Sequence, residues 1–250
     1  MTTSHALPEP TARAGVGETA RSTAAQRSPR VGQISWQRRA LDVALSVVGL
    51  LLLTPVLVAV AVAVRVSSPG PVIFRQVRLT RGRAPFTLYK FRTMRVGTDG
   101  PEVTRRGDPR VTAPGRLLRR TSLDELPQLV NVLFGQMTLV GPRPETPALA
   151  ARYPSDVAWV LDETPGLTGP AQISLRDDVS VVAVPGGPAV PAAADPEALE
   201  RWYVEQLVPR RVAMDLTFLR RPSLWATLRV VWWTVCYLAT GRPPETRLDG

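Results

Sequence analysis

Histidine, cysteine and lysine occur once each in this chain of 250 residues, as His5, Cys236 and Lys90. Without a second cysteine there is no intramolecular disulfide, which fits a reducing compartment. Cys236 stands among Trp232, Trp233, Val235 and Leu238 and reads as packing rather than as a nucleophile. His5 lies in residues 1–30, a stretch rich in Thr, Ala, Arg, Ser and Pro without apolar periodicity, read as a disordered basic arm. Histidine acid–base chemistry and histidine metal sites are therefore not expected. Chemistry falls instead to carboxylates, arginines, hydroxyls and Lys90. Zinc-finger spacings and aromatic-glycine RNA signatures are also missing, so no nucleic acid partner is expected.

Positive charge is plentiful and local. Between Arg65 and Arg120 fourteen basic residues face three acids (Asp99, Glu102, Asp108), a window of +11 against +10 for the whole chain. Such a field suits anionic lipid or phosphate-bearing substrates. Lys90 is the one ammonium among 31 basic residues. A compact point charge does not interchange with a planar fork, so Lys90 is a candidate for a specific role, set against chance. Its segment Phe86-Thr-Leu-Tyr-Lys-Phe91 alternates with apolar groups on both sides, as a strand or an interfacial stretch does.

Directly before the basic window, Leu41 to Val64 carries no charge after Asp42 and is long enough for a membrane helix. Thr54-Pro55 interrupts it midway, where proline removes a helix hydrogen bond. Arginines flank both ends, Arg30, Arg38 and Arg39 before it and Arg65, Arg75 and Arg78 after it. The positive-inside tendency puts both flanks on the cytoplasmic side, which a kinked hairpin satisfies; an ordinary kinked spanning helix is the competing reading.

The run Ser122-Leu-Asp-Glu-Leu-Pro-Gln-Leu-Val-Asn-Val places the carboxylate pair Asp124-Glu125 immediately after this arginine field. Leu126, Leu129, Val130 and Leu133 recur with helical spacing, so the pair opens an amphipathic helix. Ser122-x-x-Glu125 has the form of a capping box, and first-turn acids answer the helix dipole, which is a sufficient structural role. The alternative is chemistry on a phosphorylated substrate. Downstream, Val140-Gly-Pro-Arg-Pro-Glu145 holds Arg143 on a loop stiffened by two prolines, suited to gripping a phosphate or simply to turning the chain. Thr164 to Arg176 is a turn-rich segment ending in polar groups, and Val179 to Asp195 looks like an insertion or flexible loop. From Ser223 to Leu238 an aromatic-rich run with Arg229 in its middle favours an interfacial helix.

In order, Ile73-Phe-Arg-Gln-Val-Arg78, Tyr89-Lys-Phe-Arg-Thr-Met94, Ser122-Leu-Asp-Glu-Leu-Pro-Gln-Leu129, Gly141-Pro-Arg-Pro144 and Pro165-Gly-Leu-Thr-Gly-Pro-Ala-Gln172 follow the proline-broken apolar segment. Over about Arg38 to Leu238 the chain resembles the bacterial sugar transferases, the small monotopic phosphoglycosyl transferases. The resemblance implies that Asp124 is a nucleophile toward the β-phosphate of a nucleotide diphosphate sugar. A covalent phosphosugar-aspartyl enzyme would then pass its phosphosugar to a polyprenyl phosphate. It implies that Glu125 assists through Mg²⁺ or proton handling, with Asp124 and Glu125 as the metal ligands. Lys90, Arg92, Arg143 and Arg78 are the phosphate-binding candidates, with Gln172 and Arg176 beside them. Thr80, and Ser174-Leu175-Arg176, depart from the residues common in the family, so sugar and nucleotide specificity do not carry over. With forty residues before Leu41, the chain is expected to be the minimal catalytic form.

The expected fold is α/β and mostly helical, a membrane-associated monotopic enzyme. Residues 1–34 form the arm, 35–66 a re-entrant membrane hairpin, 67–240 a cytosolic catalytic domain with interfacial amphipathic helices, and 241–250 a tail. The expected location is the cytosolic face of the bacterial inner membrane, in contact with lipid. A non-catalytic membrane adaptor, or a glycosyltransferase releasing nucleoside diphosphate, are the alternatives.

Overall fold

A computed structural model describes residues 34–98, 100, 102–104, 107–175 and 196–241. The arm before residue 34, the tail after 241 and the whole stretch from 176 to 195, Arg176 included, lie outside the described residues.

The apolar segment folds as two helices, α1 (Trp36–Leu52) and α2 (Thr54–Ser67), bent by 63° to one another. Neither helix alone is long and apolar enough to cross a membrane. Ser35 caps α1 by accepting a hydrogen bond from the Arg38 backbone N–H. At the break, Pro55 has no N–H to continue the ladder, and the Thr54 hydroxyl donates to the Leu50 carbonyl at 2.7 Å.

Three polar residues of α1 face inward. Arg38, Asp42 and Ser46, spaced i, i+4, i+8, are all buried. Asp42 accepts from the Thr138 hydroxyl at 2.8 Å and the Leu139 N–H at 3.0 Å, while Arg38 donates to the Thr227 hydroxyl and the Val140 carbonyl. Arg39 donates both terminal nitrogens to the Val132 and Leu133 carbonyls, groups left open at a helix end. Two of the arginines expected to act as flanking charges thus hold α1 to the rest of the fold.

Strands β1 (Ile73–Leu79) and β2 (Pro85–Phe91) form an antiparallel hairpin with Phe74 opposite Lys90. On β2, Phe86 and Leu88 point into a core shared with Leu129, Val132, Met137 and Val230. Helix α3 (Ala113–Thr121) starts at Thr112, whose hydroxyl accepts from the Gly115 N–H. After it come α4 (Gln128–Leu133), β3 (Thr138–Val140) and the short α5 (Pro147–Ala150). Strand β4 (Gly166–Thr168) pairs in parallel with β3, leading into α6 (Pro170–Ser174). Helices α7 (Pro196–Trp202) and α8 (Val208–Leu219) are joined by a π-helical turn, Tyr203–Leu207. Finally, α9 (Leu224–Thr240) is a single uninterrupted helix.

The mostly helical α/β class is as expected. The expected helix start at the carboxylate pair is not. Asp124 and Glu125 lie in a separate 3-10 turn, Leu123–Glu125, and Ser122 makes no side-chain cap there because it sits in the left-handed region (φ 55°) that closes α3. The capping box is therefore not formed.

α3 approaches the chain after β2 through Gly115, where an added Cβ would lie 2.1 Å from the Thr93 carbonyl oxygen. Backbone on both sides leaves little room to relax. Gly115→Ala is expected to cost about 2 kcal/mol, a fall of several degrees in melting temperature, checked by thermal denaturation of the purified protein.

Candidate active site

The reversal at Ser122 turns the chain so that Asp124 points inward, 7% exposed. A non-glycine residue in the left-handed region costs about 1–2 kcal/mol, and such strain concentrates at functional sites. Burial, together with the Glu125 charge beside it, pushes the Asp124 carboxyl up to about 6 against the opposing pull of Lys90 and Arg119. The result is a carboxylate ionised at neutral pH but poorly solvated. Lys90 experiences the converse: burial and the nearby Arg78 and Arg119 charges lower it to about 8, and its ammonium sits 5.1 Å from the Phe74 ring centre.

The position of Lys90 follows from Asn131 on α4. The Asn131 amide donates to the Thr87 carbonyl at 2.8 Å, and its carbonyl accepts from the Tyr89 N–H at 3.1 Å. One fully buried side chain therefore ties β2, with Lys90, to the helix that follows the carboxylate pair. Arg119, in the last turn of α3, donates to the Thr93 hydroxyl at 2.9 Å.

Arg143 stands 3.7 Å from Glu125. Its loop leaves β3 against β4 with no space for side chains at the contact: a Cβ on Gly166 would be 2.1 Å from the Gly141 nitrogen, and one on Gly169 would be 2.6 Å from the Gly141 oxygen. Gln172, on α6, reaches the Gly141 and Gly166 carbonyls at 3.5 and 3.4 Å, and with Arg143 it lines a cavity of about 30 Å³. That volume admits a water-sized group. Asp215 of α8 accepts the Ala171 N–H at the start of α6, and burial pushes its carboxyl up to about 7.

The residues expected to bind phosphate thus divide. Lys90 lies close enough to Asp124 for its charge to act on it, Arg143 stands beside Glu125, and Gln172 lines a cavity with Arg143. Arg92 is buried and donates to the Val64, Ser68 and Pro69 carbonyls at the end of α2, which makes it a tie to the hairpin. Arg78 donates to the Pro144 carbonyl and to Gln76, and pairs with Glu145 at 3.6 Å; it lies under the Arg143 loop. Thr54 and Pro55 stand at the bend between the helices. Residues not anticipated from sequence are Arg119, Asn131 and the buried group Glu145, Tyr203, Arg211 and Asp215. Arg119 lay within the basic window and was hidden by its neighbours, while the others pair with groups far along the chain.

Among the described residues no cluster of three or more His, Cys, Asp or Glu side chains converges as a protein-only metal site. Adjacent Asp124 and Glu125 supply hard oxygen donors of the kind that share a divalent cation with a substrate phosphate.

Residues 33–241 match the family model described as bacterial sugar transferase. The chain is 40% identical over 219 residues to the UDP-glucose:undecaprenyl-phosphate glucose-1-phosphate transferase of Caulobacter vibrioides, covering 85% of this chain and 73% of that one. It is 39% identical over 203 residues to the protein of the same name in Escherichia coli, covering 79% of this chain and 39% of that one. To the UDP-N-acetylgalactosamine-undecaprenyl-phosphate N-acetylgalactosaminephosphotransferase of Aeromonas hydrophila it is 31% identical over 209 residues, 82% of this chain and 44% of that one. It thus spans less than half the length of two of these three relatives.

The charge balance around Asp124 has a direct test. Carbon-13 NMR of labelled aspartate is expected to show Asp124 titrating near pH 6. Lys90→Met removes a cation that favours the ionised form, so the midpoint should move upward. An unshifted midpoint in that variant would mean that Lys90 does not face Asp124.

Proposed function

Because the chain belongs to the bacterial sugar transferase family, we propose that it moves a sugar 1-phosphate from a nucleotide diphosphate sugar to a polyprenyl phosphate of the undecaprenyl type. Nucleoside monophosphate is released, in an early step of exopolysaccharide or glycoconjugate assembly. The observation that carries this reading is a buried, ionisable Asp124 set among Lys90, Arg119 and the Glu125–Arg143 pair. The names of the relatives support uridine diphosphate sugars and undecaprenyl phosphate as the substrate classes.

In the proposed sequence an Asp124 carboxylate oxygen attacks the β-phosphorus. The bond from that phosphorus to the bridging oxygen breaks, and the nucleoside monophosphate leaves with the bridging oxygen and the electron pair. An oxygen of the polyprenyl phosphate then attacks the same phosphorus, the aspartyl P–O bond breaks and Asp124 returns as a carboxylate. Lys90 and Arg143 bind the non-bridging oxygens, and Arg119 offsets charge beside the nucleophile. Gln172, and Arg176 by the family resemblance, serve the donor side. Asp124 and Glu125 would hold a magnesium ion that accompanies the diphosphate, which supplies neutralisation of its negative charge.

We place the α1–α2 hairpin in the bacterial inner membrane as a re-entrant element, α9 at its surface and the site on the cytosolic face. Support comes from large apolar groups left open to the surroundings, among them Leu52 at 73%, Val66 at 81% and Trp225 at 80% exposed.

Incubating the solubilised protein with UDP-glucose, related donors and undecaprenyl phosphate tests the reaction: nucleoside monophosphate is expected. Release of diphosphate would indicate an ordinary glycosyltransferase, and no release from any donor an adaptor. Asp124→Asn should abolish turnover while leaving the fold intact, and Glu125→Gln should be nearly as severe. Mass spectrometry of wild-type enzyme given donor alone should find a phosphosugar adduct on Asp124; robust turnover by Asp124→Asn would sink the covalent route.

Topology is checked with single cysteines at Ser35 and Ser67 in a Cys236→Ser background. Both are expected to resist an impermeant thiol reagent in intact cells and to react after permeabilisation. Labelling at the Ser35 position alone in intact cells would mean that the segment spans the membrane.

A further inference from the structure

Arg143 is two residues from a buried carboxylate, Glu145. Glu145 is 3% exposed. Its carboxylate accepts from the Tyr203 hydroxyl, and it pairs with Arg78. Its backbone carbonyl accepts from the Leu79 N–H at 2.9 Å. Arg78 also donates to the carbonyl of Pro144, the one residue between Glu145 and Arg143. The loop is thus held from β1 through both its main chain and its side chain.

The remaining support comes from the other end of the chain. The Tyr203 hydroxyl gives its hydrogen to Glu145 and accepts from Arg211 Nη1 at 2.8 Å, while the Arg211 guanidinium lies 5.3 Å from the Tyr203 ring centre. Burial pushes the phenol up to about 12, so it remains a donor throughout the physiological range. Tyr203 opens the π-helical turn between α7 and α8, an irregularity rare in helices and frequent at functional sites. Deleting one member of such a network leaves the others buried and unpaired, so its effect exceeds that of one exposed hydrogen bond.

We infer that Tyr203 is a positioning residue for Arg143: through Glu145 and Arg78 it fixes the loop that presents the guanidinium opposite Asp124 and Glu125. The inference rests on the transferase reading above. It also assigns a task to the C-terminal helical segment beyond packing.

The test is a double-mutant cycle on the full chain, with UDP-glucose and undecaprenyl phosphate as substrates, UMP release as the readout and melting temperature followed in parallel. Tyr203→Phe keeps the ring and removes the hydroxyl. With Arg143 present, kcat/KM is expected to fall about 10-fold to 100-fold; in an Arg143→Ala background the same substitution should change it by less than about twofold. Glu145→Gln, which keeps the size and the hydrogen-bond acceptor but removes the charge facing Arg78, should show the same dependence on background and stands in if Tyr203→Phe does not fold. Equal losses in both backgrounds would assign Tyr203 to the stability of the fold alone and overturn the inference, as would full activity in either Tyr203→Phe or Arg143→Ala. A wild-type chain that releases no UMP from any donor would instead overturn the transferase reading itself.

Discussion

A carboxylate with little access to water stays ionised near neutrality only if cations approach it from fixed directions. Asp124 imposes that requirement on the rest of the domain. One cation arrives on a strand (Lys90 of β2), one on a helix (Arg119 of α3), and Arg143, on a proline-stiffened loop, faces the neighbouring Glu125. Each carrier is held by a different buried polar contact: Asn131 fastens β2, Thr93 receives Arg119, and Glu145 anchors the loop. The hydrophobic clusters supply the bulk of the cohesion, but the polar contacts decide which groups meet around Asp124.

Local features were legible from the amino-acid order where local physics sets them. Proline at position 55 removes a donor, and a break between two helices follows. Phe86 and Leu88 alternate on β2 and enter the core. The motif order led to the family. The capping box failed because its two residues are compatible with more than one turn: Ser122 adopts a left-handed conformation that completes the preceding helix instead of capping the next. The tie from Arg92 to three backbone carbonyls at the end of α2 could not be read from the sequence, because such partners carry no residue-type signal.

Other features depended on partners distant along the chain. Arg38 and the Val140 carbonyl are 102 positions apart, and Tyr203 and Glu145 are 58 apart. Even so, the i, i+4, i+8 spacing of Arg38, Asp42 and Ser46 was visible as a polar stripe on an otherwise apolar helix. Weighing the apolar run by its total hydropathy, and its flanking arginines by charge alone, concealed that stripe. Within α1 the polar face meets protein, which leaves the apolar face for other surroundings.

The mutual contact of Gly141, Gly166 and Gly169 has a consequence for how such enzymes can be recombined. Two segments separated by more than twenty residues touch backbone to backbone, so neither tolerates a side chain, or a shift of the other, at the point of contact. They behave as a single inheritable module. A chimera that imports residues 138–145 from a relative while retaining its own residues 164–172 joins halves of two different interlocks, whereas exchanging both segments together preserves the seam.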